Sequence, residues 1–111
     1  MKIIITDKDN QLHIKIDTKR FDFDRLEQLK EIIIKAVNNH KKEIILDLSA
    51  LEFMESMGLS FIVFALKHIH QANGTLRLTS LSKQPQELIR LIGLEQLIDD
   101  LSVESLEIGV Q

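Results

Sequence analysis

The chain contains no cysteine, which rules out disulfides and thiolate metal sites. That absence fits a reducing compartment, and a cytoplasmic location is the expectation. Long apolar runs are missing too. The longest, Phe61 to Leu66, falls far short of the roughly 20 residues that span a bilayer. Direct membrane insertion is therefore not expected. The opening Met1-Lys2-Ile3-Ile4-Ile5-Thr6-Asp7 meets an acid too early for a signal peptide. There is no excess of basic charge: 14 Lys and Arg stand against 17 Asp and Glu, for a net charge of −3. Nothing here neutralises a phosphate backbone, so nucleic acid is not an expected partner.

Glycine is scarce, with four in 111 residues. None forms a glycine-rich loop ahead of a helix, and none sits at a nucleophile elbow, so neither a nucleotide cradle nor a hydrolase site is supported. No Ser–His–acid or Cys–His set is legible, and no catalytic residues are assigned. The histidines are His13, His40, His68 and His70. His68 and His70 stand about 200° apart around a helix and cannot share a metal, and zinc-ligand spacing is absent. Asp7/Asp9 and Asp22/Asp24 lack the glycine and the closing glutamate of a calcium loop, so they are read as turn and capping acids. Asp47 at a strand end is reminiscent of a receiver phosphoacceptor. A receiver, however, carries acids between its first strand and first helix, where this chain continues into a hairpin. No metal and no other cofactor is expected, and an enzyme is not the expected class.

What the chain does contain is 44% hydrophobic and 28% charged residues, an ordinary globular composition in a length suited to one domain over 1–111. Ile3, Ile4 and Ile5 predict a strand, and Asp7-Lys8-Asp9-Asn10 a turn. Leu12, Ile14 and Ile16 alternate with His13, Lys15 and Asp17, which is strand period. The two strands form a hairpin with a loop of about four residues. Thr18 to Asp24 is a charged loop with two exposed-looking aromatics, Phe21 and Phe23. Asp24 is a candidate N-cap, with Glu27 completing a capping-box-like start. A helix over about Arg25–Asn38 follows, with Leu26, Leu29, Ile33, Ala36 and Val37 on one face.

Glu43 to Leu48 has little polar interruption and predicts a central strand with both faces partly covered. A helix over about Met57–Gln71 stops at Ala72-Asn73-Gly74. Leu76, Leu78 and Leu81 predict the next strand. Ser82-Lys83-Gln84-Pro85 opens another helix, which ends at Gly93. Leu94, Leu97, Ile98 and Leu101 form an apolar continuation, and Val103 to Val110 a last helical turn or two. Strand–helix–strand order implies parallel pairing, and the opening hairpin makes the sheet mixed. The fold class is α/β: a small mixed four- to five-stranded sheet covered by helices.

Ser56 carries most of the functional weight. It stands where an apolar strand and a short acidic turn give way to an apolar helix. A serine there can cap free backbone N–H groups. The same position suits a phosphate, because those groups and the helix dipole favour negative charge. The residues alone leave both readings open. Laid out at about 100° per residue, Ser60, Lys67 and Gln71 share the face of Ser56, while Gly58, Ile62, Ala65, Leu66 and Ile69 lie opposite and should face the core. Met57 and Phe64 flank the polar face on one side and Val63 on the other. This apolar arc is wider than one sheet contact needs. Its flanks either tuck under neighbouring helices or form an apolar partner patch around Ser56.

Ile44-Ile45-Leu46-Asp47-Leu48-Ser49 followed by Phe53-Met54-Glu55-Ser56-Met57-Gly58-Leu59 resembles the STAS domain, in its small form that acts as an anti-sigma factor antagonist. The family's usual second stretch is Phe-Met-Asp-Ser-Ser-Gly-Leu. Asn73-Gly74-Thr75-Leu76 and Leu88-Ile89-Arg90-Leu91-Ile92-Gly93-Leu94 add to the likeness. The resemblance implies a STAS-like fold and a phosphorylation-controlled binding protein. By position it makes Ser56 the phosphoacceptor of a partner serine kinase, often itself the anti-sigma factor, with a metal-dependent serine phosphatase reversing the reaction. Asp22 matches a family aspartate near the partner surface. Glu55 replaces the family Asp with the same charge on a longer side chain. Met57 replaces a second serine and leaves Ser56 the sole hydroxyl acceptor of the motif, and Ser60 stands where a small residue is usual. Asp22, Glu55, Met57, Ser60, Val63, Phe64 and Lys67 are the candidate partner-binding residues. Some STAS domains serve other circuits, including polysaccharide or biofilm programmes. The alternative function is a constitutive adaptor or structural subunit of a transporter or a larger signalling complex.

Overall fold

A computed structural model describes residues 1–99. The expected helical turns at Val103–Val110, and Leu101, lie outside the described residues. Strands β1 (Lys2–Lys8) and β2 (Gln11–Asp17) form an antiparallel hairpin. Helix α1 spans Leu26–Asn38, β3 Glu43–Asp47, α2 Ser56–Gln71, β4 Thr75–Thr79 and α3 Lys83–Leu91, and a two-residue β5 covers Ile98–Asp99. The sheet order is β1-β2-β3-β4-β5, with β2 to β5 mutually parallel. This is the mixed sheet the element order predicts, with β3 at its centre.

One face of the sheet makes the core. Leu12, Ile14 and Ile16 of β2, Ile44 and Leu46 of β3, and Leu76 and Leu78 of β4 are all buried. They meet Leu26, Leu29, Ile33 and Ala36 of α1, Phe61, Ile62, Ala65 and Ile69 of α2, and Ile89 of α3 in a single cluster. The opposite face keeps contact with solvent, so β3 is sealed on one side and half-buried on the other. Polar cross-strand contacts lace that outer face. Gln11 Nε2 donates to Glu43 Oε1 at 3.0 Å, and Arg77 Nη2 lies 3.2 Å from Glu43 Oε2. Neighbouring strands bring such opposed side chains within reach.

Several local expectations change. The hairpin loop is two residues long, not four, because the ladder continues to Lys8 opposite Gln11. Asp9 turns the chain with φ at 49°, a conformation aspartate tolerates better than most residues. Asp24 does not cap α1. A 3-10 turn over Phe23–Arg25 precedes the helix, and it is Asp22 whose Oδ1 accepts the Asp24 N–H, at 3.0 Å. Phe21 is half-buried rather than exposed, its ring set edge-on to Phe61 with centroids 6.0 Å apart. Leu81 falls outside β4, which ends at Thr79; the left-handed Ser80 (φ 61°) breaks the strand. The apolar stretch after Gly93 forms a 3-10 turn, Glu95–Leu97, and then β5. Leu66, expected in the core, is only partly buried.

Candidate functional site

The loop between β3 and α2 is pinned from beneath. Leu48, Leu51 and Met54, three residues apart, are buried and anchor it like pegs. Asp47 Oδ1 accepts the Ser49 N–H at 2.9 Å and tightens its first turn. Helix α3 supports it from one side. Ser82 Oγ donates to the Leu51 carbonyl at 2.6 Å, and the Gln84 amide clamps both the N–H (2.8 Å) and the carbonyl (3.0 Å) of Met54. From the other side the Lys19 carbonyl accepts the N–H groups of Glu52 (2.9 Å) and Phe53 (3.3 Å). With its buried positions spent on anchorage, the loop presents Glu52, Phe53, Glu55 and Ser56 to solvent.

Ser56 is exposed and is the first residue of α2. The cap position belongs to Glu55, whose backbone is extended (φ −103°, ψ 176°) and whose side chain makes no cap bond. Ser56 is therefore not the N-cap that one sequence reading makes it, because its own backbone is already helical. The helix's opening N–H groups precede the reach of any intrahelical carbonyl, and the partial positive charge of the helix end concentrates there. Glu55 turns to Arg20 instead, with Nη1 3.2 Å from Oε2, and that guanidinium lies over the Phe53 ring, 4.7 Å from its centroid.

The candidate partner-binding residues fall on two sides of α2. Met57 and Ser60 line a groove of about 330 Å³ with Phe23, Asp24, Leu26, Glu27 and Lys30. Phe64 lies one turn further along, packed on His68 with its ring 5.2 Å from Lys30 Nζ. Val63 and Lys67 line a separate concavity with Leu66, His70 and Gln96. Asp22 is exposed and caps the 3-10 turn that carries Phe23 and Asp24 to the groove. Along α2, Val63 is 45% exposed, Met57 and Phe64 are half-buried, and Ile62, Ala65 and Ile69 are sealed as expected, with Phe61 joining them in the core in place of Leu66.

Sequence reasoning assigned no site role to Phe23, Lys30, Arg20 or Gln84. Phe23, at 67% exposure, had a usable signal as a large aromatic in a charged loop. The other three had none, since each reaches the site across more than 25 residues of chain by loop or helix packing. Among the described residues no group of three or more His, Asp or Glu side chains is placed to hold a metal ion. No described helix is long and apolar enough to cross a membrane.

A pinned loop leads into an exposed serine that opens an apolar helix, at one end of a mixed sheet. The STAS domain family model matches residues 2–107, and the chain belongs to that family. Its fold is similar to that of the anti-sigma factor antagonist SpoIIAA in its unphosphorylated form, with a TM-score of 0.78 at 16% identity over 99% of this chain and 100% of that one. The Bacillus cell fate determinant SpoIIAA in its phosphorylated form gives 0.76 at 18% identity, over 96% and 97% of the two chains. An anti-sigma-factor antagonist (STAS) domain protein from Planctomyces limnophilus gives 0.74 at 20% identity, over 96% and 95%. The fold is thus the STAS fold that these structures share.

Proposed function

We propose that residues 1–111 act as one cytoplasmic STAS unit, a protein-binding regulator without chemistry of its own, switched by reversible phosphorylation of Ser56. The observation that carries this reading is the exposure of Ser56 at the uncapped start of α2, directly after a pinned loop and next to Met57, which lines a groove of mixed apolar and charged residues. A kinase can reach such a hydroxyl without unfolding the loop. The unphosphorylated form binds an anti-sigma factor-like serine kinase through the groove residues Met57 and Ser60, with Glu55, Phe64 and Asp22 around it and Val63 and Lys67 at the far rim. Burial of the apolar rim supplies affinity, and the phosphate charge sets the sign of the interaction. A metal-dependent serine phosphatase restores the binding form.

The two structures of SpoIIAA, one described as unphosphorylated and one as phosphorylated, make a phosphorylated state of this fold a reasonable expectation here. The test is incubation of the full chain with its cognate kinase and ATP, followed by intact-mass and site analysis. One phosphate should add, and Ser56→Ala should abolish it. Phosphate on Ser49, Ser60 or Ser80 would overturn the assignment. A partner that holds the wild-type, Ser56→Ala and phosphorylated chains equally well would instead identify a constitutive adaptor.

A further inference from the structure

The loop between β2 and α1 runs alongside the loop that leads into Ser56. The Lys19 carbonyl takes two N–H groups from that second loop, and the Thr18 hydroxyl donates to the Arg20 carbonyl. These bonds hold the Arg20 backbone beside the loop that leads into Ser56 whatever its own side chain does. The guanidinium rests on Phe53 and pairs with Glu55, the covalent neighbour of Ser56. Both members of that pair are more than half exposed, at 64% and 57%, and ion pairs this exposed hold weakly.

We infer that Arg20 is the residue that senses the switch: when Ser56 is phosphorylated, its guanidinium leaves Glu55 and takes the phosphate. The inference rests on the proposed role of Ser56. A phosphoserine carries about −1.5 to −2 charges and three strong acceptor oxygens, against the single charge of a carboxylate. The planar guanidinium fork suits such a group and can bind it through two parallel hydrogen bonds. Little holds Arg20 to Glu55, so the stronger anion wins. The Phe53 face offers the cation a platform in either pairing. The other charged groups on these two loops are Lys19, Asp22, Asp24 and Arg25 ahead of α1 and Glu52 ahead of Ser56, and of these Lys19 and Glu52 line one concavity with Arg20 and Phe53. Phosphorylation then does two things at once. It adds a phosphate that Arg20 partly neutralises, and it releases the Glu55 carboxylate into the partner surface.

The experiment uses the full chain with phosphoserine installed directly at position 56, and follows the second phosphate ionisation by phosphorus NMR. A nearby cation favours the dianion and lowers that pKa. In the Arg20→Gln phosphoprotein it should rise by about 0.5 unit, a modest shift because the site is exposed. Arg20→Lys should recover part of the difference, and Lys19→Gln should leave the value as in the wild type. Equal ionisation in the wild type and Arg20→Gln overturns the role of Arg20, as does an equal rise in Lys19→Gln. Because the phosphoserine is installed without a kinase, either result leaves the assignment of Ser56 as kinase target to its own test.

Discussion

Gly58, in the first turn of α2, lies directly against the ring of Phe21. A Cβ added at Gly58 would come within 2.7 Å of Phe21 Cε2 and 2.9 Å of Met54 Cγ. The contact couples the start of α2 to the loop that carries Arg20. In an exposed helix, Gly→Ala is stabilising by about 0.5–1 kcal/mol. Here the clash reverses the sign, and Gly58→Ala should destabilise by about 1–3 kcal/mol, as overpacking does. A double-mutant cycle with Phe21→Ala, read by urea denaturation, should recover most of that loss. Additive costs would mean that Phe21 is not the obstacle.

Ser56 makes no cap bond, so its structural contribution can be measured apart from the regulatory role proposed for it. Loss of a true N-cap costs about 0.5–2 kcal/mol. Ser56→Ala should instead stay within about 0.5 kcal/mol of the wild type, as ordinary surface changes do. Ser56→Asp should also melt close to the wild type, since a helix start tolerates negative charge. The same substitution should weaken kinase binding at least about tenfold, a loss of ~1.4 kcal/mol. Thermal melts with calorimetric titration of the kinase decide both points. A mutant that unfolds, or one that binds unchanged, contradicts the switch.

Ile62 and Phe64 sit on the same helix with opposite fates, the first sealed in the core and the second half-buried beside Lys30. Ile62→Ala should cost about 2–5 kcal/mol of stability and spare binding by the folded fraction. Phe64→Ala should mainly cost binding. A melt and a partner titration for each variant test the pair. If Phe64→Ala costs as much stability as Ile62→Ala and leaves binding intact, the partner surface moves to the Thr18–Asp24 loop.

Gln84 holds the Met54 peptide at both ends. Removing its amide leaves a part-buried N–H and carbonyl without that partner, which should cost about 1–3 kcal/mol. Gln84→Ala should therefore lower the melting temperature and raise amide exchange at Met54, just ahead of Ser56. Unchanged exchange would show that the apolar pegs alone hold the loop.

Much of this architecture was legible from the order of residues. Period-two alternation in Leu12–Asp17 marks a strand with one wet face, and the wide apolar arc of α2 marks a helix with more to cover than one sheet. The Phe53–Leu59 motif points to Ser56 before any geometry is known. These features are local: periodicity and short motifs are written in neighbouring residues. Boundaries were less legible, because the ladder at Lys8 and Gln11 and the break at Ser80 depend on what each strand pairs with.

Only the tertiary structure decided which groups meet. Arg20 and Glu55 are 35 residues apart, and neither loop alone indicates that they pair. Gln84 reaches Met54 across 30 residues, and Asp22 displaces Asp24 as the capping acid once the 3-10 turn forms. The sequence by itself determined the fold class and the buried faces of β2 and α1, because period and composition are local. The position of Ser56 inside the helix rather than at its cap was settled by backbone dihedrals. Its charged and aromatic surroundings were settled by how two loops and a helix pack, which depends on contacts that no local pattern encodes.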